Sequence, residues 1–345
     1  ALGRRATGRL WVRLKARRGF EYTFVFTGIN GENVWADLPY GNGKVAVQAQ
    51  FKGRVAFVGM EFGPLVKVGG AGDVMYELPK TLVEKGSEVS VVIPYFRSMA
   101  EKLSKYEVED LAGVEIEIPF ENRPAEKLTV KTTTISGIKV YMLAVTSEDL
   151  FNTPYSGQET EFYESIVLSR GALELLKILG KPVDIIHSND HHTALVPVYM
   201  RTMFSKEFQK TGSVFTIHNI GYQGNYPEEW LEELGLPEHE IIRRLLIKSG
   251  EINLMASVPG VVKILGAKGN YINTVSPTYA EDIRRTYFEI DRLLYDVGNR
   301  FGGILNGIDF HLWNPADDKM IARRYEIKGG IEDVMWARKV NKRVL

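Results

Sequence analysis

Residues 54–73 of the chain read RVAFVGMEFGPLVKVGGAGD. The stretch begins with a continuous apolar run at 55–58, which is typical of a strand that is buried on both faces of a sheet. A loop and the glycine-rich segment 67–73 follow, and the sequence then takes on a helical pattern. A buried strand, a glycine-rich turn and a helix in this order form the first unit of a parallel α/β sheet.

Strand and helix patterns alternate along most of the chain. The helix after residue 73 carries the apolar residues Val74, Leu78 and Leu82 and is expected to end at 85–86. Further apolar runs with the length of buried strands occur at 89–93, 183–187, 214–218, 271–275 and 303–306. Repeated strand–helix units of this kind predict a doubly wound, parallel α/β sheet.

Two segments depart from this alternation. Residues 113–145 contain strand patterns at 114–118 and 139–143, and we predict an antiparallel insertion there. The N-terminal residues show short alternating strands with glycine turns, which indicates antiparallel β structure. We therefore expect three parts, which are a β-rich extension at 1–52, an α/β domain at 53–320, and a linker with a helix at 321–345.

The composition excludes several classes of function. The 345 residues carry 43 basic and 43 acidic side chains, so no net charge attracts nucleic acid or an anionic membrane. The sequence has no cysteine, which excludes disulfides, thiolate metal sites and cysteine nucleophiles and fits a reducing compartment. An apolar content of 44% is typical of a globular protein, and the length predicts about two domains.

The first 18 residues hold seven basic side chains and no acidic one, and residue 1 is alanine. An arginine-rich start without acidic residues is compatible with an organelle transit peptide. Its direct continuation into strand-like sequence favours a clipped chain or a gene fragment instead.

The segment 67–73 lies beyond the carboxyl end of a predicted strand, where parallel sheets bind their ligands. Its glycines let the backbone approach a ligand closely, and the N-terminus of the next helix offers free N–H groups to an anion. Lys67 adds a mobile positive charge that suits a diphosphate or a sugar hydroxyl, while Asp73 is also explained as the helix N-cap. The spacing matches neither Walker A nor Gly-x-Gly-x-x-Gly, and by itself it favours an ordinary glycine-rich turn.

The segment 67–73, followed by Leu78, Pro79 and Leu82, resembles the opening of bacterial glycogen synthases and plant starch synthases, which form glycosyltransferase family 5. The usual family residue at Ala71 is leucine. In this family the lysine and the glycine loop contact the diphosphate and the glucose of ADP-glucose. The donor-binding residues that the resemblance implies are Lys67, Gly69, Gly70 and Asp73.

The segment HSNDHH at 187–192 contains two histidines, His187 and His191, that would clamp a metal if the segment were helical. The segment ends a predicted strand instead, and no third ligand is evident nearby. We therefore expect no metal there.

The same segment resembles the HxHDWH segment of the family, whose aspartate lies in the active-site cleft. The resemblance implies a catalytic role for Asp190 and a sugar contact for His192. Asn189 and His191 depart from the family pattern, which has histidine and tryptophan at these positions.

The block TIHNIGYQG at 216–224 carries a lone histidine at a strand end, and the sequence alone favours a hydrogen-bonded structural role for it. The block closely resembles the family motif TxHNxxYQG, in which the histidine sits against the glucose. The resemblance therefore implies that His218 and Asn219 act at the reaction centre and that Tyr222 and Gln223 contact sugar.

Three further blocks extend the resemblance in family order, at 152–155, 273–280 and 303–309. The first contains Tyr155, which is either a surface aromatic residue or a sugar contact. In the second, Ser276 as N-cap and Pro277 at the first helical position predict the start of a helix. In the third, the Asn-Gly pair 306–307 predicts a tight turn.

The resemblance implies the N-terminal domain of a GT-B enzyme, in which two α/β domains face each other across the nucleotide sugar. Such an enzyme transfers glucose from ADP-glucose to the non-reducing end of an α-1,4-glucan, which is glycogen, starch or a maltooligosaccharide. Transfer retains the α configuration and needs no metal or other cofactor, and no nucleic acid or membrane is involved. The second domain would follow residue 345, so we expect little activity from this chain alone. The implied location is the bacterial cytoplasm or the plastid stroma.

Two other functions stay open at this point. A non-catalytic glucan-binding protein would use the same half-fold for attachment only. A sucrose synthase-like transferase fits the glycine loop and the Tyr-Gln-Gly block less well. In addition, residues 20–37 resemble the second half of a starch-binding β-sandwich of the kind appended to branching enzymes, which implies a truncated carbohydrate-binding module at 1–52.

Overall fold

The computed structural model describes residues 10–15, 21–26, 52–236, 240–264, 269–286, 290–309 and 313–344. In the N-terminal part, β1 (Leu10–Lys15) and β2 (Glu21–Phe26) pair as antiparallel strands, as their alternation predicted. Residues 27–51, which include the predicted glycine turns and the second part of the segment 20–37, lie outside the described residues.

The remaining strands are β3 (Arg54–Val58), β4 (Glu88–Pro94), β5 (Glu109–Asp110), β6 (Ile116–Ile118), β7 (Glu126–Ile135), β8 (Ile138–Val145), β9 (Ile185–Asn189), β10 (Gly212–Ile217), β11 (Asn225–Pro227), β12 (Ile247–Lys248), β13 (Glu251–Asn253), β14 (Asn270–Thr274) and β15 (Phe301–Gly303). The α-helices are α1 (Gly70–Glu84), α2 (Ala100–Leu103), α3 (Gln158–Leu179), α4 (Leu195–Arg201), α5 (Glu240–Leu246), α6 (Leu254–Ile264), α7 (Pro277–Thr286), α8 (Ile290–Asp296) and α9 (Gly330–Val344).

The main sheet has the strand order β15-β14-β10-β9-β3-β4-β8-β7-β5, and β6 also pairs with β7. Neighbours from β15 to β8 are parallel, which confirms the doubly wound α/β sheet. The predicted antiparallel insertion is only partly correct. β8 pairs in parallel with β4 and belongs to the main sheet, and antiparallel pairing begins at the β7–β8 hairpin.

The core lies on both faces of the central strands. Residues 55–58 of β3 are all buried, as their uninterrupted apolar character requires. Helix α3 packs in the same core with buried residues around most of its circumference, among them Phe162, Ile166 and Leu173. Each fully buried side chain of this size stabilises the fold by about 1.5–3 kcal/mol. None of the helices in the described part of the chain has the length and apolar character that a membrane span needs.

Several predicted boundaries shift in the structure. Helix α1 begins at Gly70 with Gly69 as its N-cap, so Asp73 lies in the first turn and the N-cap explanation for Asp73 is wrong. The strand predicted at 183–187 is β9, two residues later, because the apolar run alone does not mark the polar end of the strand. The strand predicted at 303–306 ends at Gly303.

The C-terminal helix predictions hold. Helix α7 begins at Pro277, and the Ser276 hydroxyl accepts a hydrogen bond from the Tyr279 N–H, which confirms the predicted N-cap. The helix expected near the C-terminus is α9.

The topology reverses at β3. From β3 the chain proceeds to β4 and β8 on one side, and it returns on the other side through β9, β10, β14 and β15. In open α/β sheets such a switch point creates a crevice at the carboxyl ends of the strands, where ligands bind. The segments that follow β3, β9 and β10 are therefore the ones that the fold brings to this crevice.

Candidate active site

A buried glutamate organises the loop that follows β3. Glu61 is 3% exposed, and its Oε2 accepts hydrogen bonds from the backbone N–H groups of Val68 at 2.6 Å and Gly69 at 2.9 Å. A Cβ atom at Gly72 would lie 2.9 Å from the same oxygen, so only glycine leaves room for the carboxylate. A Cβ at Gly69 would meet no described atom within 4 Å, and the outer side of the loop is open.

Lys67 and Asp73 form an ion pair across this loop, with Nζ and Oδ1 2.8 Å apart. Both side chains are more than a third exposed, and such pairs contribute only about 0–1 kcal/mol because solvent screens them. The Lys67 ammonium can therefore exchange this carboxylate for a bound anion at little cost. The first N–H groups of α1 lie in the same loop and favour an anion as well.

Asp190 follows β9 in a strained backbone conformation, with φ 56° and ψ 178°. Non-glycine residues in this region carry strain of about 1–3 kcal/mol, which is concentrated at functional sites. In this conformation the carboxylate points at the segment after β10. Its Oδ1 accepts hydrogen bonds from the His218 N–H at 2.8 Å and the Asn219 N–H at 3.2 Å. Burial raises the pKa of Asp190, and the nearby His218 and these N–H groups partly oppose that rise.

His218 is the first residue beyond β10, and its Nε2 lies 3.0 Å from the Asn189 Oδ1. The Asn189 amide nitrogen donates to the carbonyls of Val58 and His187, so its oxygen is the acceptor and Nε2 of His218 is the donor. Burial lowers the pKa of His218 below its ordinary value, and the negative charges of Asp190 and Glu61 offset only part of this decrease. The imidazole is thus neutral near pH 7, with Nδ1 as its acceptor atom.

Tyr155 and His192 complete the wall of the crevice. The Tyr155 hydroxyl donates to the Glu61 Oε1 at 2.7 Å, and its ring meets the His192 ring edge-on at 5.5 Å. Burial and the bond to Glu61 raise the pKa of Tyr155, which keeps the phenol protonated. One small cavity is lined by Glu61, Tyr155, Asp190 and His192 together.

Asn219, Tyr222 and Gln223 follow His218 in the segment after β10. The Asn219 side chain accepts from the Gly221 N–H at 2.9 Å, and it is the Asn219 backbone that meets Asp190. Tyr222 is 69% exposed. The Gln223 Oε1 accepts from the Asn253 amide at 2.7 Å and so faces the small sheet β11–β13. The sugar contacts that the resemblance implies for Tyr222 and Gln223 stay predictions.

His187 is a structural residue. It lies within β9, and its Nε2 is 2.6 Å from the Thr216 hydroxyl on the neighbouring strand. Burial lowers the pKa of His187 to about 3, which keeps the ring neutral. Because β9 is extended, His187 and His191 do not share a helical face, so the helical clamp that their spacing allowed is not formed.

The chain matches a known family of proteins along most of its length. The sequence profile of the starch synthase catalytic domain matches residues 54–297, which include the segments after β3, β9 and β10. The chain belongs to the starch synthase catalytic domain family.

Relatives within this family support the assignment. The glycogen synthase of Thermotoga maritima is 33% identical over 297 residues, which are 83% of this chain and 58% of that protein. The glycogen synthase of Fervidobacterium nodosum is 32% identical over 85% of this chain and 59% of its own length. The chain thus spans somewhat more than half the length of the glycogen synthases that it matches.

A solved structure of the family has the same fold. The catalytic domain of starch synthase IV from Arabidopsis thaliana, bound to ADP and acarbose, superposes with a TM-score of 0.68 at 29% identity. The superposition covers 80% of this chain and 56% of that one.

Two residues of the crevice could not be identified from the sequence. Glu61 is an acidic residue three positions after a buried strand, and this position alone is only a weak indication of a functional site. Its hydrogen-bond partners lie up to 94 positions away in the chain. Asn189 was noted only as a departure from the family pattern, whereas it joins β9, β3 and His218. Neither role follows from spacing along the chain.

Proposed function

We propose that this chain supplies the donor-loop and acceptor-side half of an enzyme that transfers glucose from ADP-glucose to the non-reducing end of an α-1,4-glucan. The observation that carries the proposal is that the residues of the crevice lie within the part of the chain that matches the family. The matched residues 54–297 contain Glu61, Tyr155, Asp190 and His218, which the fold brings together at the switch point.

The charges of the crevice suit the charge changes of glucosyl transfer. The leaving diphosphate gains negative charge, and Lys67 with the N-terminus of α1 offers positive potential to it. The sugar gains positive charge in the transition state, and the preorganised Asp190 carboxylate is an acidic group on the crevice wall that stabilises this charge. Backbone donors fix this carboxylate, so it needs no rearrangement during the reaction.

The neutral groups of the crevice suit recognition of sugar hydroxyls. His218 donates through Nε2 to Asn189, which leaves Nδ1 to accept a hydrogen bond from a hydroxyl. Tyr155 is half exposed and offers a ring face of the kind that packs against a sugar, with the buried His192 behind it. We propose that transfer retains the α configuration and uses no metal or organic cofactor in the chemical step.

The choice of donor rests on the relatives. The starch synthase IV structure contains ADP, and we carry an adenine nucleotide sugar over to this chain on the strength of 29% identity across 80% of its length. We carry the glucan acceptor over in the same way, because the relatives that the chain matches are glycogen synthases. Because those proteins are longer than this chain, full activity is proposed to need the further residues that they contain.

The test is transfer of labelled glucose from ADP-glucose to glycogen in the presence of a chelator. The assay compares this chain with a chimera in which the C-terminal part of the Thermotoga maritima glycogen synthase follows it. We expect transfer by the chimera and little by the chain alone, with UDP-glucose a poorer donor.

Turnover by the chain alone would contradict the need for a second half. A folded chimera that binds glycogen without transferring glucose would contradict the proposed activity and favour a non-catalytic glucan-binding protein.

A further inference from the structure

Three potential metal ligands meet beside the crevice. Glu161 lies in the first turns of α3, while His191 and His192 follow Asp190 in the short turn His191–Thr193. The Glu161 Oε2 is 3.6 Å from the His191 Nε2 and 3.8 Å from the His192 Nε2. One ligand atom from each residue lies within 4.8 Å of the other two.

These imidazoles are deeply buried and incompletely bonded. His191 is 5% exposed and His192 2% exposed, and the two rings stack with centroids 3.8 Å apart. Among the described residues, neither the His192 Nε2 nor the His191 Nδ1 has a hydrogen-bond partner. Buried polar atoms are nearly always satisfied by protein groups, ordered water or an ion, and the His192 Nε2 faces the Glu161 carboxylate without a hydrogen bond to it.

The carboxylate of Glu161 is held in place by the chain at the start of α3. The Gly157 N–H binds the Glu161 Oε1 at 3.3 Å, and the other oxygen is left to face both rings.

The separations and the types of the ligand atoms indicate which metal would suit the site. In a tetrahedral zinc site with bonds of about 2.0–2.2 Å, ligand atoms are about 3.3–3.6 Å apart. The Glu161–His191 separation of 3.6 Å lies at the upper end of this range, and the Glu161–His192 separation of 3.8 Å lies just above it. Two imidazoles and one carboxylate suit Zn²⁺ and similar transition metals, whereas Mg²⁺ and Ca²⁺ prefer oxygen ligands throughout.

We propose that Glu161, His191 and His192 form a three-ligand site for a zinc-type divalent cation, with the fourth position left to water or another ligand. This proposal is independent of the proposed glucosyl transfer, because cation binding is measured without substrate. His192 also lines the cavity that contains Asp190 and Tyr155, so a bound ion would lie against the wall of the candidate active site. The alternative is a direct contact between His191 and Glu161 with no ion bound.

The experiment titrates Zn²⁺ into the chelator-treated chain, with a zinc indicator as competitor. We expect one Zn²⁺ per chain, and an affinity that is about 100-fold weaker or more in Glu161→Gln and His191→Gln, because each variant removes a ligand. Glu159→Gln changes an exposed carboxylate in the same turn of α3 and is the matched control, with unchanged affinity. Co²⁺ should give the intense visible absorption of a four-coordinate ion in the unaltered chain and not in the two ligand variants.

His191→Trp serves as a second variant in case His191→Gln does not fold, since tryptophan is the residue that the family pattern has there. It should fold and lose the zinc. Absence of saturable binding by the unaltered chain would overturn the proposal. Equal affinity in the chain and in all folded ligand variants would overturn it too, because the zinc would then be bound elsewhere.

Discussion

Glu61 connects two parts of the candidate site that are far apart in the chain. One carboxylate oxygen holds the glycine loop through Val68 and Gly69, and the other holds Tyr155. Because both oxygens are used, a neutral replacement cannot satisfy all of these donors. The loop that we propose for donor binding and the aromatic wall that we propose for sugar binding therefore share one anchor.

We predict that Glu61→Gln weakens donor binding. The amide keeps one acceptor oxygen and places a donor where the loop N–H groups or Tyr155 need an acceptor. Losing a hydrogen bond to a charged group costs about 1.5–3 kcal/mol, which corresponds to a rise of roughly 10- to 100-fold in the KM for ADP-glucose. Steady-state kinetics of the chimera, with Glu77→Gln on α1 as the control, measure this. An unchanged donor KM in a folded variant would show that Glu61 does not position the loop.

Asp190 combines backbone strain with a fixed carboxylate. We predict that Asp190→Asn lowers kcat about 100-fold or more, because the charge that stabilises the transition state is lost. Asparagine tolerates positive φ better than most residues and keeps an acceptor for the His218 N–H, so its free energy of unfolding should change by about 1 kcal/mol or less. Kinetics and denaturant unfolding of the same samples separate the two effects.

Asp190→Ala provides the contrast for this prediction. Alanine keeps the strained φ of 56° and loses the bonds to the 218–219 backbone, so this variant should lose about 1–3 kcal/mol more stability than Asp190→Asn. Near-normal kcat in Asp190→Asn would mean that the carboxylate serves only to shape the loop.

At the scale of elements, α3 holds the segment that carries Tyr155. The fully buried Glu164 on α3 accepts from the Phe151 N–H and the Ser156 hydroxyl, both at 2.7 Å. Burial raises the pKa of Glu164 to about 7, and the nearby Glu161 and Asp149 raise it further, against these two hydrogen bonds. A helix carboxyl group therefore sets the position of a loop in the crevice wall.

This raised pKa predicts a pH-dependent stability. The folded chain binds the Glu164 proton more tightly than the unfolded chain, whose pKa is near 4.5, so stability falls as pH rises from about 4.5 to about 7. A shift of this size corresponds to about 3 kcal/mol. Glu164→Gln stays neutral and should equal the unaltered chain at pH 5 but exceed its free energy of unfolding by up to about 3 kcal/mol at pH 8.

Denaturant unfolding at the two pH values tests this prediction, with the exposed Glu159→Gln as the control. If Glu164→Gln differs from the unaltered chain by the same amount at both pH values, the carboxyl group is not protonated in the fold. The change in stability with pH arises from the raised pKa of Glu164 in the folded chain, since this carboxyl group has its ordinary pKa in the unfolded chain.

The elements that could be predicted are those with strong local signals. The apolar run of β3 and the Ser-Pro pair before α7 each determine their element locally, and both are where the sequence placed them. The two- and three-residue strands β5, β12 and β13 carry too few residues for a period to appear. The parallel pairing of β8 with β4 was missed because a hairpin pattern does not reveal which strand lies on its other side.

At the scale of the whole molecule, the sheet topology explains why the site lies where it does. The reversal at β3 opens a crevice, and the residues after β3, β9 and β10 form its wall. The motifs predicted that Asp190 and His218 belong to one site, and the structure brings them within hydrogen-bonding distance. The roles of Glu61 and Asn189, and the Glu161–His191–His192 cluster, depend on contacts between distant segments that no local pattern encodes.

The most direct measurement is the linkage and position of glucose that the chimera adds to glycogen. Labelled product is digested with β-amylase, which releases maltose from the non-reducing ends of α-1,4-linked chains only. The account predicts that the label is released as maltose, because glucose is added at that end through an α-1,4 bond with retained configuration. Label that is incorporated and then resists β-amylase would contradict the account, since the linkage, the configuration or the end of the chain would be a different one.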